Sequence, residues 1–169
     1  MINLTTTDSP NNLVVSLYRT LPKEEQAIYA LNDLLQKNYD ADKGYMEAAD
    51  NVKDSILIAL FKNFAKQRQE FATEIKGRIL ELDREPAEDG SFSAYIHRTW
   101  MNIRKFFSEE NRDLMIDECI RGEKTLLDDY EEALELTDID VNQKTRTLLN
   151  KQKSEIERSI NRLEELKNS

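Results

Sequence analysis

The sequence is short of residues that turn a chain and of residues that staple it. Four Gly and three Pro among 169 residues are too few for a sandwich or barrel, which needs a reversal about every ten residues, and a mostly helical chain is expected. The single cysteine, Cys119, excludes an internal disulfide and any tie to an oxidising compartment; it reads as a free buried thiol. The longest unbroken apolar run is 56–61, far below the roughly 20 residues of a bilayer crossing. Residues 1–10 lack the basic-then-apolar order of a secretory signal, so a cytoplasmic protein is expected. Basic charge is in deficit as well. With 24 Lys+Arg against 33 Asp+Glu, a net charge of -9, and no Lys/Arg-rich stripe, the chain repels nucleic-acid phosphates and anionic membrane surfaces, and neither is an expected partner. What is plentiful is charge, 34%, beside 39% hydrophobic residues. That balance gives one domain a sizeable core beneath a heavily solvated exterior.

Residues 1–21, rich in Thr, Asn and Ser around one apolar patch at Leu13, Val14, Val15, Leu17 and Tyr18, read as a mobile N-terminal tail. Over 22–169 apolar positions recur with a helical period. A first helix at about 22–51 opens at Pro22 behind Thr20 as N-cap and aligns Ala27, Leu31, Leu34, Leu35, Tyr45 and Ala48. A second at about 54–83 starts from Asp54 as N-cap and aligns Leu57, Phe61, Phe64, Phe71, Ile75 and Ile79. A short aromatic-faced helix at about 92–107 follows, with Phe92, Tyr95, Trp100, Ile103 and Phe107 on one side. The third long helix, about 108–136, would be capped by Ser108 and turns Ile116, Cys119, Ile120, Glu123, Leu126 and Tyr130 inward. The fourth, about 140–167, would be capped by Asp138 or Asp140 and turns Thr145, Leu149, Gln152, Ile156, Ile160 and Leu163 inward.

Four long helices of nearly equal length, about 40 Å each at 1.5 Å per residue, with joins that are short, long and short, make an all-α four-helix bundle. The long connection between the second and third can run the full bundle length through its short helix. A ferritin-like topology with this crossover is therefore preferred to plain up-down-up-down, although a compact excursion could also return the chain to its starting end.

Polar residues on the inward stripes carry the most information, because an unpaired charge in a bundle core costs several kcal/mol. Asn38 and Asp42 lie on the apolar face of the first helix, Arg68 on the second, Glu123 on the third and Gln152 on the fourth. Each is near the middle of its helix, so a polar layer is expected across the bundle centre. The plainer reading of it is an internal Arg68–Glu123 ion pair with amide partners, fixing helix register; the alternatives are a small-ligand or metal pocket lined by these groups, or an outward turn of one of the pair that leaves no layer. A di-iron centre would need Glu-x-x-His on two helices, and the chain has none, its one histidine being His97. No metal or other cofactor is expected, although a carboxylate-only set from Glu47, Glu74, Glu118, Glu123 and Glu155 could be assembled from so acidic a chain. His97 reads as half-buried and bonded to a carbonyl or carboxylate, and Trp100 as the anchor of the short helix. No catalytic residue is expected: there is no Gly-x-Ser-x-Gly, no Gly-rich phosphate loop, and Cys119 has no histidine at a useful spacing. The run 128–132 reads as a solvated face.

Lys43-Gly44-Tyr45-Met46-Glu47-Ala48-Ala49, Gln67-Arg68-Gln69-Glu70-Phe71-Ala72, Ile96-His97-Arg98-Thr99-Trp100-Met101 and Glu118 with Arg121-Gly122-Glu123 and Tyr130 form an ordered series over about 31–166. In it the chain resembles an uncharacterised bacterial family of ferritin-like four-helix-bundle domains of unknown function. The resemblance implies a ferritin-like fold, a bacterial cytoplasmic setting and a loose association with stress. It implies no reaction, and matches Glu47, Arg68, His97, Glu118, Glu123 and Tyr130 to the family's motifs. The expected function is that of a non-enzymatic bundle protein acting through a protein partner or by self-association as a homo-oligomer. The competing expectation is a ligand- or metal-binding protein lined by Glu47, Glu118, Glu123 and His97.

Overall fold

The computed structural model describes residue 17 and residues 19–88, 112–137 and 143–169. Among these, four helices and no strand occur: α1 (Lys23–Asn51), α2 (Ser55–Glu81), α3 (Arg112–Leu136) and α4 (Gln143–Lys167). The expected helix at 92–107 and the caps Ser108, Asp138 and Asp140 lie outside the described residues. No described helix is long and apolar enough to cross a membrane.

Helix boundaries follow from local chemistry. Pro22, not Thr20, occupies the N-cap of α1 and makes no side-chain cap bond; the Thr20 hydroxyl instead donates to the carbonyl of Leu17. Most of the expected mobile tail lies outside the described residues, and the described lead-in to α1 makes two sets of contacts. Gln26 Nε2 donates to the carbonyls of Arg19 and Leu21 at 3.1 and 2.7 Å, and Arg19 pairs with Glu135. Asp54 caps α2 as expected, accepting from the backbone N–H of Ile56 and Leu57. The far end of α2 closes with Asp83 in the left-handed region, φ 54°. There the N–H of Arg84 reaches Ile79 and that of Asp83 reaches Leu80, which satisfies two carbonyls the helix would otherwise leave open.

Helix directions are fixed by contacts along their lengths. On α1 and α3, Asn38 meets Tyr130 and Tyr45 meets Glu123, so the two run antiparallel. Gln67 meets Ser159 and Arg78 meets Thr145, making α2 and α4 antiparallel; Lys124–Glu164 and Lys167–Asp117 do the same for α3 and α4. Since α2 and α3 both oppose α4, they run parallel to each other. The connection between them therefore starts at one end of the bundle and finishes at the other, where Arg112 pairs with Asp54 at 3.1 Å. Its first residues already climb α1: Arg84 bonds Glu25, the Ala87 N–H bonds Asn32, and Gln36 bonds the Glu88 carbonyl.

Around the bundle α1 packs on α2 and α3, and α4 packs on both of the same two. One apolar cluster runs through the middle, including Leu31, Leu34 and Leu35 of α1, Phe61, Phe64 and Ile75 of α2, Ile116 of α3 and Ile156 of α4. This core puts α2 and α3 on one diagonal, and the midpoint of that diagonal is where polar side chains interrupt it.

Candidate functional site: a polar belt across the bundle

Two groups of buried polar side chains stand about one heptad, or 10.5 Å, apart along the axis, because Asn38 and Tyr45 on α1 match Tyr130 and Glu123 on α3. The first group centres on Glu123, 2% exposed. Arg68, with no exposed surface, reaches across the diagonal from α2 and donates from Nη2 to Glu123 Oε2, while the Tyr45 hydroxyl donates to Oε1. The guanidinium carbon stands 5.2 Å from the Phe71 ring centroid, and Tyr45 packs on Phe61 and Phe64 at 5.9 and 5.3 Å. Burial, reinforced by the Glu123 carboxylate, holds the Tyr45 phenol well above its ordinary value, so it is a fixed hydrogen-bond donor. Cys119, one turn from Glu123 and also buried, is pushed up by burial and then by Glu123 and Glu118. Such a thiol is inert rather than nucleophilic.

The second group centres on Tyr130. Its hydroxyl accepts from Asn38 Nδ2 at 2.9 Å and donates to Gln152 Oε1 at 2.8 Å. Gln152 Nε2 donates to Glu74 Oε2 at 2.8 Å and to the Phe71 carbonyl at 3.3 Å. Glu74 carries the chain of bonds to the surface, where Lys151 pairs with it at 2.7 Å. Burial acts to raise the Glu74 pKa, but Lys151 and Gln152 outweigh it and leave the carboxyl below its ordinary value. All four helices thus contribute to one belt, and nearly every bond in it runs between the α1–α2 hairpin and the α3–α4 hairpin.

Four of the five residues expected at the bundle centre, Asn38, Arg68, Glu123 and Gln152, meet in this belt. Asp42 does not. It is half-buried and makes none of the belt bonds described above; the buried acid of α1 is Asp40. Of the family-motif positions, Tyr130 joins the belt, Glu47 is half-buried, and Glu118 pairs with Arg121. His97 and Trp100 lie outside the described residues. Glu155, like Glu118, is taken by a neighbouring arginine, Arg158. Two members were not expected in the belt. Tyr45 was hidden in an apolar stripe, although it lies seven residues from Asn38. Glu74, weighed in the sequence only as part of a carboxylate set, reaches the belt from its rim. The run 128–132 is not uniformly solvated: Tyr130 has no exposed surface, and Asp129 is held by Lys37 at 2.8 Å.

The donor set around Glu123 does not fit a di-metal carboxylate centre. A guanidinium takes the carboxylate oxygen a metal would need, and among the described residues no group of three His, Cys, Asp or Glu is placed to hold an ion.

Comparison with known proteins gives a family and a fold. The model of a domain of unknown function, DUF2383, matches residues 26–136, more than half of the chain. No curated protein matches the sequence. Among solved structures, the chain is similar to a DPS protein from Vibrio cholerae O1, described as a member of a broad superfamily of ferritin-like diiron-carboxylate proteins. The TM-score is 0.68 at 20% identity, over 85% of this chain and 90% of that one. At that identity the likeness establishes the ferritin-like fold.

Proposed function

The chain belongs to the DUF2383 family of domains of unknown function, and we propose that it is a non-enzymatic bundle protein that works through its surface, by binding a protein partner or a second copy of itself. The observation that carries this reading is an apolar end face. Met46, Ile56 and Leu114 are 41%, 60% and 48% exposed, and all three stand at the end built from the C-terminus of α1 and the N-termini of α2 and α3. Beside them a groove of about 830 Å³ runs between α2 and α4, lined by Ile56, Leu60 and Leu166 together with Arg162 and Glu165. Clustered exposed apolar side chains mark interaction surfaces more often than chance. The belt, by contrast, spends its charges on itself. A cytoplasmic place of action and a part in bacterial stress adaptation belong to the same reading and rest on the family resemblance.

The description of the similar DPS protein as diiron-carboxylate supplies the second reading, a ligand- or metal-binding bundle lined by Glu47, Glu118, Glu123 and His97. Sedimentation velocity across a hundredfold concentration range, with elemental analysis and titration with Fe(II), Mn(II) and Zn(II), separates the two. Concentration-dependent mass that Ile56→Glu and Leu114→Glu suppress supports surface association. Stoichiometric metal uptake abolished by Glu123→Gln overturns it in favour of the second.

A further inference from the structure

The belt contains three buried polar atoms that its own side chains leave unbonded: Nε and Nη1 of Arg68, and Oδ1 of Asn38. Both residues have no exposed surface. Their backbone positions also fall at about one level, from which the long Arg68 side chain reaches toward Glu123. The contacts of Tyr45 with Phe61 and Phe64 set the register of the antiparallel α1–α2 hairpin, so stepping back seven residues to Asn38 corresponds to stepping forward along α2 to about Arg68–Phe71. Tyr130, bonded to Asn38, feels the charge of Arg68. Arg68 and Asn38 thus flank the seam between the Glu123 group and the Tyr130 group.

We infer that this seam is a binding site for a small neutral molecule that both accepts and donates hydrogen bonds, namely internal water, bridging Arg68 Nε or Nη1 to Asn38 Oδ1. The chemistry of the unbonded atoms selects the occupant. Arg68 offers only donors and Asn38 Oδ1 only an acceptor. An anion would serve Arg68, but it would leave Asn38 unbonded and bring a second negative charge toward Glu123, whose own charge is already matched by Arg68. A metal cation would serve Asn38 and be repelled by the guanidinium. Only a group with both functions satisfies both sides, and a buried polar niche with two to four partners is where proteins hold ordered water. The bridge would join the two halves of the belt into one hydrogen-bonded system, from Glu123 through Arg68, water, Asn38, Tyr130 and Gln152 to Glu74 at the surface. This inference concerns the interior and stands whether or not the end face binds a partner.

The test uses the full chain labelled with nitrogen-15 arginine. The Arg68 Nε–H resonance should persist at neutral pH and show direct cross-relaxation to the water signal. Oxygen-17 relaxation dispersion should detect at least one long-lived water molecule, and the count should fall by at least one in the Arg68→Met/Glu123→Leu double variant. If that variant does not fold, Asn38→Leu, which removes the acceptor and leaves the ion pair, serves the same purpose. A missing cross-peak, or an unchanged count of long-lived water in the variant, overturns the inference. So does a saturable shift of the Arg68 Nε–H signal with sodium chloride, which would identify an anion, or with Zn(II) or Mn(II), which would identify a metal.

Discussion

Removing either member of the Arg68–Glu123 pair should hurt more than removing both. In Arg68→Met the Glu123 carboxylate keeps only the Tyr45 hydroxyl at 2% exposure, and stranding a buried charge in this way costs about 3–5 kcal/mol. In Glu123→Leu the guanidinium loses its one side-chain acceptor, and the cost is again about 3–5 kcal/mol. The Tyr45 hydroxyl loses its acceptor in the same variant, adding roughly 1–3 kcal/mol. Against a total of about 5–15 kcal/mol for a domain, each single variant comes close to unfolding. The double variant carries neither of the two buried charges and loses only the bond from Tyr45 to Glu123, so it should sit within about 1–3 kcal/mol of wild type. Adding Tyr45→Phe should recover most of what is left. Urea unfolding followed by circular dichroism, with slopes compared so that changes in compactness are not mistaken for stability, closes the cycle. Additive losses in the double variant would refute the reasoning, because they would mean that the two side chains do not meet across the diagonal.

Alkaline pH should weaken the fold, because Cys119, Tyr45 and Tyr130 all titrate above their ordinary values of 9.0, 10.0 and 10.0 through burial first of all. The unfolded chain then releases protons that the folded chain keeps, so stability is full below about pH 8 and falls by about 2 kcal/mol by pH 10. Cys119→Ala should remove about 1.4 kcal/mol of that loss, and a flat urea midpoint from pH 8 to 10 would contradict the burial of these groups. Asp54→Ala deletes the α2 cap and the tie to Arg112 and should cost about 1–2 kcal/mol; equal thermal midpoints for variant and wild type would show the cap to be idle. The same carboxyl lies below its ordinary pKa because the Leu57 and Ile56 N–H groups and Arg112 outweigh burial. Its contribution should therefore be present above about pH 4 and vanish as pH falls below that, which acid titration of wild type against Asp54→Ala reads directly. Arg146→Met removes the donor to the carbonyls of Leu134 and Thr137 and should raise amide hydrogen exchange in the last turn of α3 while leaving α2 unchanged.

The sequence made the helices and their inward stripes legible because a 3.6-residue period with few Gly and Pro admits little else. It made the centre of the belt legible for a related reason: Arg68, Glu123 and Gln152 are polar residues on otherwise apolar faces, and burial forces such groups to find each other. Asp42 marks the boundary of that logic. Periodicity says which way a residue leans, and a half-buried position such as 42 satisfies it without joining the belt bonds described above. Tyr45 and Glu74 show the opposite failure. A tyrosine in an aromatic stripe looks apolar until its hydroxyl has a partner, and a rim glutamate looks solvated until a glutamine on another helix reaches it. Topology was likewise open in the sequence. What decides it is a set of pairings between residues far apart in the chain, chiefly Arg112 with Asp54 and the shared opposition of α2 and α3 to α4.

The ferritin-like arrangement itself explains why a charge belongs at the bundle centre. With α2 and α3 parallel on a diagonal, Arg68 of one and Glu123 of the other face each other across the core. A long side chain from each wall can span that gap if the two are joined at their tips, and Arg68 with Glu123 does so while remaining neutral as a pair. A metal bridging carboxylates would solve the same problem with charge supplied from outside, and would have to compete with Arg68 for the Glu123 carboxylate. At roughly 5 Å and an effective dielectric of about 20, a divalent ion beside the guanidinium is opposed by about 7 kcal/mol. Retaining Arg68 therefore lets the pair neutralise itself within the core, with each charge answered by the other.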